Sequence, residues 1–262
     1  MQLVSPTQQE VAREERGRSA KKSPSGEAVG KIVQSFNTWA FKREQPSDPG
    51  LLTRFVGRAV MRRQPVSFVL YWGKGPRIDL EHYDTQCMDY LAALAGKVKA
   101  AYPMGASMSL VLTDTHATHN GHSAHAIAKY FSAIETEAEK RGFDCYLLGD
   151  LTEAAGHGLR VDSAEPTEEV LQTLARSAER WYRGGGSTIE GARAYYAMNM
   201  LEKRVIEHFF PSSIFATFNG RESRPLFPDA LPIFYMYSLK RGTSVKPWFL
   251  PETQALSAAT NG

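Results

Sequence analysis

The stretch that most constrains this chain is Val66 to Arg77, VSFVLYWGKGPR. Ser67 to Leu70 is an apolar, β-branched and aromatic run of strand length, and it leads into the glycine turn Tyr71-Trp72-Gly73-Lys74-Gly75-Pro76. From Asp79 to Tyr102 the residues Leu80, Tyr83, Cys87, Leu91, Leu94 and Val98 fall three or four apart, the period of an amphipathic helix. Strand, glycine turn and helix open a βαβ unit, in which ligands sit at the carboxyl ends of the strands. Tyr71 and Trp72, with the backbone N–H groups of Gly73, Lys74 and Gly75, are therefore the first candidate floor of a site. A turn that only joins a strand to a helix has the same sequence.

A chain of 262 residues, 42% of them apolar, is long enough for one α/β domain with a sizeable core. The net charge of +3 comes from two short basic stretches, Arg13 to Lys22 and Arg54 to Arg63. No dense basic face with interleaved aromatics follows, which argues against nucleic acid as a partner. Cys87 and Cys145 read as reduced thiols inside a helix and a strand, so a cytoplasmic protein is expected. No signal peptide and no membrane-spanning run is read, and the partner expected is a small molecule.

Residues 1–26 are polar and read as a disordered arm, as do residues 252–262 at the other end. Residues 27–64 form a helical cap of two helices, Gly30 to Phe41 and Leu51 to Met61. The first carries Trp39 and Phe41, which either pack on the domain or close over a ligand as a lid. Residues 65–251 form the main domain. Its second strand, Ser107 to Leu112, ends in Thr113-Asp114-Thr115-His116. An acid at this place accepts hydrogen bonds from ribose hydroxyls, although a helix-capping Asp114 looks identical in sequence.

His116, His119, His122 and His125 follow at intervals of three. Helical positions with that spacing drift around the surface, Gly121 interrupts the helix and no cysteine is near, so no metal is expected. Ser123 to Lys140 reads as a helix, Phe143 to Leu148 as a third strand, and Asp150 with Leu151 as its ligand-side end or a simple turn. Residues 152–165 read as a loop, before helices Thr167 to Trp181 and Thr188 to Phe209 joined by Gly184-Gly185-Gly186. Three aromatic strand-like runs close the domain: Ser213 to Asn219, Leu231 to Leu239 and Ser244 to Phe249. They predict an antiparallel hairpin at the edge of a mostly parallel sheet.

The order of these motifs resembles the isocyanide synthase family of pyoverdine and dityrosine biosynthesis. The segments that carry it are AVMRRQPVSFVLYWGKGPR, AYPMGASMSLVLTD, MLEKRVIEHFFPSSIFATFN and VKPWF. The resemblance implies a Rossmann-like fold and an enzyme of secondary metabolism that makes an isocyanide from an amino acid and a sugar-phosphate carbon donor. Lys74 and Asp114 stand where that family keeps a lysine and an acid, but Phe215, Asn219 and Phe249 replace its cationic residue and histidines.

Loss of cations disfavours an anionic co-substrate. An aromatic site built from Trp39, Tyr71, Trp72, Phe215, Phe218 and Trp248 suits a sulfonium instead. The arrangement is also similar to a class I methyltransferase, and to the bacterial azetidine-2-carboxylate synthases, which close S-adenosylmethionine on itself and release methylthioadenosine. That resemblance implies S-adenosylmethionine as substrate without a metal, and a product passed to a biosynthetic assembly line. Asp114, Thr115, His116, Asp150 and Leu151 would hold the nucleoside, Gly73 to Gly75 the carboxylate, Asn219 the amine, and Tyr71 and Trp72 the sulfonium. A non-catalytic nucleotide-binding domain is the third reading.

Overall fold

The computed structural model describes residues 26–73, 78–156 and 165–236, together with the backbone of 239–240 and 243–244. Two helices, α1 (Gly26–Phe36) and α2 (Pro49–Arg62), precede β1 (Val66–Trp72) and α3 (His82–Ala101). Then come β2 (Ala106–Leu112), α4 (Asp114–His119), α5 (Ala124–Glu139), β3 (Asp144–Leu147) and α6 (Leu148–Ala155). The chain continues through α7 (Glu168–Trp181), α8 (Thr188–Phe209), β4 (Ile214–Thr217), a 3-10 turn (Arg221–Leu226) and β5 (Ile233–Tyr235).

The five strands form a single parallel sheet in the order β3-β2-β1-β4-β5, a Rossmann-like α/β architecture. Strands β1, β4 and β5 are buried along almost their whole length, as expected of a parallel sheet covered on both faces. Side chains alternate across β1, so Phe68 and Trp72 point to one face and Tyr71 to the other. On the Phe68 face, the Phe36 ring of α1 stands edge-on to Phe68 at 5.3 Å and to Phe234 at 5.4 Å. On the other, Tyr71 meets Phe215 at 5.2 Å. The expected cap is thus continuous with the core: Val29, Ile32, Phe36, Leu52 and Val56 are buried in the same cluster as the strands.

The structure corrects the expected C-terminal hairpin. Ile214–Thr217 and Ile233–Tyr235 pair in parallel, with Phe215 beside Ile233 and Thr217 beside Tyr235. A parallel neighbour needs a crossover of about a dozen residues, and the 3-10 turn and its flanks between Thr217 and Ile233 provide it. Antiparallel pairing is confined to a separate ladder of Leu239–Lys240 with Thr243–Ser244. The expected loop after the third strand is in part helix α6, which starts directly at the strand's end. The expected strand from Ser244 to Phe249, and both terminal arms, fall for the most part outside the described residues.

Gly73, the first glycine of the opening turn, has a φ of 94°, a left-handed conformation that glycine adopts without steric cost. A Cβ there would lie 2.8 Å from Phe131 Cε1 of α5. Packing of a neighbouring helix therefore already requires this glycine.

Candidate active site

The ends of β1 and β2 are stitched together by Thr113, whose N–H and Oγ1 both donate to the Trp72 carbonyl, at 2.9 and 3.0 Å. The sheet reverses its winding between β1 and β4. Crevices at such a switch point are where open α/β sheets bind ligands. A cleft of about 250 Å³ opens at this rim. His116 and Asn120 border it from α4 and its end, Asn219 from the end of β4, and Phe227 from the segment after the 3-10 turn. Its other walls come from α7 and α8, among them Ser177, Trp181, Tyr195 and Asn199.

The chemistry of the cleft centres on a buried histidine–carboxylate pair. His116 Nε2 lies 2.6 Å from Glu202 Oε1, with side chains only 6% and 2% exposed. Thr115 Oγ1 donates to the same carboxylate oxygen at 3.3 Å. A carboxylate at this distance stabilises positive charge on the imidazole once the ring has taken up a proton. Tyr195 stacks on His116 at 5.9 Å, and its hydroxyl donates to Asn120 Oδ1. That bond turns the Asn120 NH2 group into the remaining donor of the amide. Asn199 Nδ2 donates to the Tyr195 carbonyl at 2.7 Å, one helical turn back.

Burial, then the nearby Glu202 and Glu207 carboxylates, holds the Tyr71 hydroxyl well above its ordinary value. Burial likewise pushes Tyr195 up to about 12, so both phenols stay neutral at physiological pH. Among the described residues no group of three or more His, Cys, Asp and Glu side chains is arranged to hold a metal ion.

Of the residues expected from sequence, the structure gathers Thr115, His116 and Asn219 around the cleft and its buried pair. Asp114 turns elsewhere: its Oδ1 accepts the Gly149 N–H at 2.9 Å and so caps the start of α6. Asp150 is exposed and Leu151 half-buried on that helix. Part of the expected aromatic cage assembles: Tyr71, Phe215 and Phe218 line a small pocket together with Asn219 and Phe227, while Trp39 and Trp72 stand elsewhere. Trp39 is 71% exposed, beneath the Lys42 ammonium at 4.8 Å. Phe41 is buried against Tyr90, whose hydroxyl donates to the Phe41 carbonyl. Trp72 and Phe215 are core residues, Phe215 wedged between Tyr71 and Phe227. Lys74, Gly75 and Trp248 lie outside the described residues.

Sequence reasoning missed Glu202, Asn199, Tyr195 and Asn120. A signal for three of them was present. Tyr195, Asn199 and Glu202 stand at i, i+4 and i+7 of one helix, and all three are buried. A polar stripe on a helix face that also carries Ile206 inward is costly unless its groups are paired or used.

No family model matches the sequence, and no curated protein matches it either. Among solved structures, the chain is similar to the PvcA protein from Pseudomonas aeruginosa, with a TM-score of 0.59 at 12% identity over 86% of this chain and 100% of that one. The two share a fold. Tyrosyl-tRNA synthetases complexed with L-tyrosine are more distant. That of Archaeoglobus fulgidus has a TM-score of 0.45 at 11% identity over 79% of this chain and 63% of its own. That of Pyrococcus horikoshii has 0.42 at 13% identity over 84% and 58%.

Proposed function

We propose that the protein is an enzyme of small-molecule metabolism, isocyanide synthase-like, that binds an amino acid in the cleft and exchanges a proton with it through His116. The observation that carries this reading is the buried His116–Glu202 pair opening onto an amide-lined cleft at the switch point of the sheet. The fold shared with PvcA and the motif order that resembles the isocyanide synthases support it.

The chemistry follows from the groups present. The Asn120 NH2, held by the Tyr195 hydroxyl, offers donors to a carboxylate, and Asn219 adds a second amide at the strand end. His116 accepts a proton from the substrate ammonium, and the Glu202 carboxylate stabilises the resulting imidazolium at 2.6 Å. Leu174, Leu226, Phe227 and Trp181 supply an apolar wall for a side chain. The S-adenosylmethionine reading, with its cyclisation or methyl transfer, rests on aromatic faces around a sulfonium; of these Tyr71, Phe215 and Phe218 line a small pocket with Asn219, while Trp72 is buried and Trp39 stands on the surface.

Thermal stabilisation by a panel of amino acids, ribulose 5-phosphate and S-adenosylmethionine tests the proposal. A ligand of the folded state at a hundred times its Kd adds about 2.7 kcal/mol. Stabilisation by an amino acid, followed by mass-spectrometric detection of an isocyanide product with the sugar phosphate present, is the expected result. Stabilisation by S-adenosylmethionine alone, with methylthioadenosine released, overturns it in favour of the cyclase.

A further inference from the structure

The histidine run is not used up by the cleft. One turn on from His116, the His119 ring stands 5.0 Å from Tyr195 edge-on and 4.8 Å from Tyr182. Tyr182 caps α7, and Tyr195 belongs to the first half of α8, so one imidazole touches both arms of the helical hairpin that roofs the cleft. Two residues on, Gly121 adopts a φ of 81°, and a Cβ there would fall 2.8 Å from Arg183 Cβ. The loop after α4 is therefore pressed against the α7–α8 turn at consecutive points. The hairpin itself has a small core of its own, built on Val170, Leu174, Ala178, Ala192 and Tyr195, distinct from the main core under the sheet.

The Nε2 atoms of His119 and His122 are both buried without a hydrogen-bond partner. The titratable and charged groups set against the two rings from the hairpin are Tyr182 and Tyr195 for His119, and Arg183 for His122. None is an acid that would welcome an imidazolium, and Arg183 repels one.

We infer that His119 and His122 latch the α7–α8 hairpin to the sheet rim while neutral and release it when protonated, so that the roof of the cleft loosens in mild acid. This regulates the site proposed above, and rests on that reading for its consequence in catalysis. The sign follows from the burial. Both histidines bind protons less readily than the ordinary 6.5, His119 through burial and His122 through burial and then Arg183. Neutral rings therefore favour the closed arrangement. Its advantage is complete above the ordinary value and declines as pH falls below 6.5 towards the depressed one.

Fluorine NMR of the full chain carrying 5-fluorotryptophan reads the roof directly, because Trp181 lies at the end of α7 and lines the cleft. Its resonance, assigned with Trp181→Phe, is followed from about pH 7.5 to about pH 5, with that of core Trp72 as the control. The expected result is a Trp181 shift with a midpoint below 6.5, absent from the His119→Gln/His122→Gln variant. Arg183→Gln, which removes the charge facing His122 together with the guanidinium's hydrogen bonds to the Tyr182 and Arg180 carbonyls, moves the midpoint upward, and it decides the matter if the double variant does not fold. A Trp181 signal that ignores pH, or one that shifts unchanged in these variants, overturns the latch. The signal needs no ligand, so a shift without any amino-acid binding leaves the latch standing and removes the proposed function.

Discussion

His116 and Glu202 show how a few atoms decide what a rim residue can do. The imidazole is held at 2.6 Å by a carboxylate that is itself 98% out of water, so its orientation is set before any ligand arrives. His116→Gln lowers turnover by about 100-fold while leaving amino-acid affinity within a few-fold, read as kcat against KM. Glu202→Ala removes the buried acceptor of the Thr115 hydroxyl and lowers stability by about 1–3 kcal/mol in urea denaturation, with Glu202→Gln losing less. Asp114 is a different case. A Cβ on Gly149 would lie 2.6 Å from Asp114 Oδ2, the tip of a side chain that can swing away, so Gly149→Ala moves the carboxylate off the helix start at a cost of about 1 kcal/mol, that of one lost cap. A denaturation midpoint unchanged in Gly149→Ala removes that contact. The role of an aspartate at a strand end was not legible in sequence, because ribose binding and helix capping place the same residue at the same position.

At the scale of elements, the helices were legible where a period of 3.6 ran long. Helix α8 begins at Thr188 and ends at Phe209, the bounds expected from sequence, fixed by a capping box between Ser187 and Glu190. Helix α6 was missed because it spans only eight residues and starts on a Leu-Gly-Asp that also reads as a turn. Helix α2 ends on Arg63 at φ 53° and ψ 44°, the left-handed region, where its N–H reaches the carbonyls of Ala59 and Val60. A non-glycine residue pays a steric cost there. Arg63→Gly therefore raises stability by about 1 kcal/mol, visible as a higher urea midpoint at unchanged slope. The strands at the C-terminal end were found but misdirected. Alternation and burial give a strand's existence, whereas its direction depends on where the preceding connection crosses.

Taken as a whole molecule, the chain packs its N-terminal helices into the same core as its sheet. Phe36 fills the space between Phe68 and Phe234, on strands that flank β4 on either side. Phe36→Ala costs about 3–5 kcal/mol, and a chain that begins at residue 65 loses the near-ultraviolet dichroism of a fixed core, since Phe68 and Phe234 are left uncovered. Retention of a cooperative melt by that shortened chain would show the helices to be a dispensable cap. The sequence by itself determined the α/β class, the strand, glycine turn and helix at its centre, and the placing of Thr115, His116 and Asn219 at strand ends, because hydrophobic period and turn chemistry are local properties. Only the tertiary structure decided that β5 runs parallel, that Trp72 and Phe215 are core while Trp39 is exposed, and that Glu202 stands behind His116. Those facts depend on contacts between residues far apart in the chain: residues 116 and 202 are brought to 2.6 Å by a helix that must first cross the sheet.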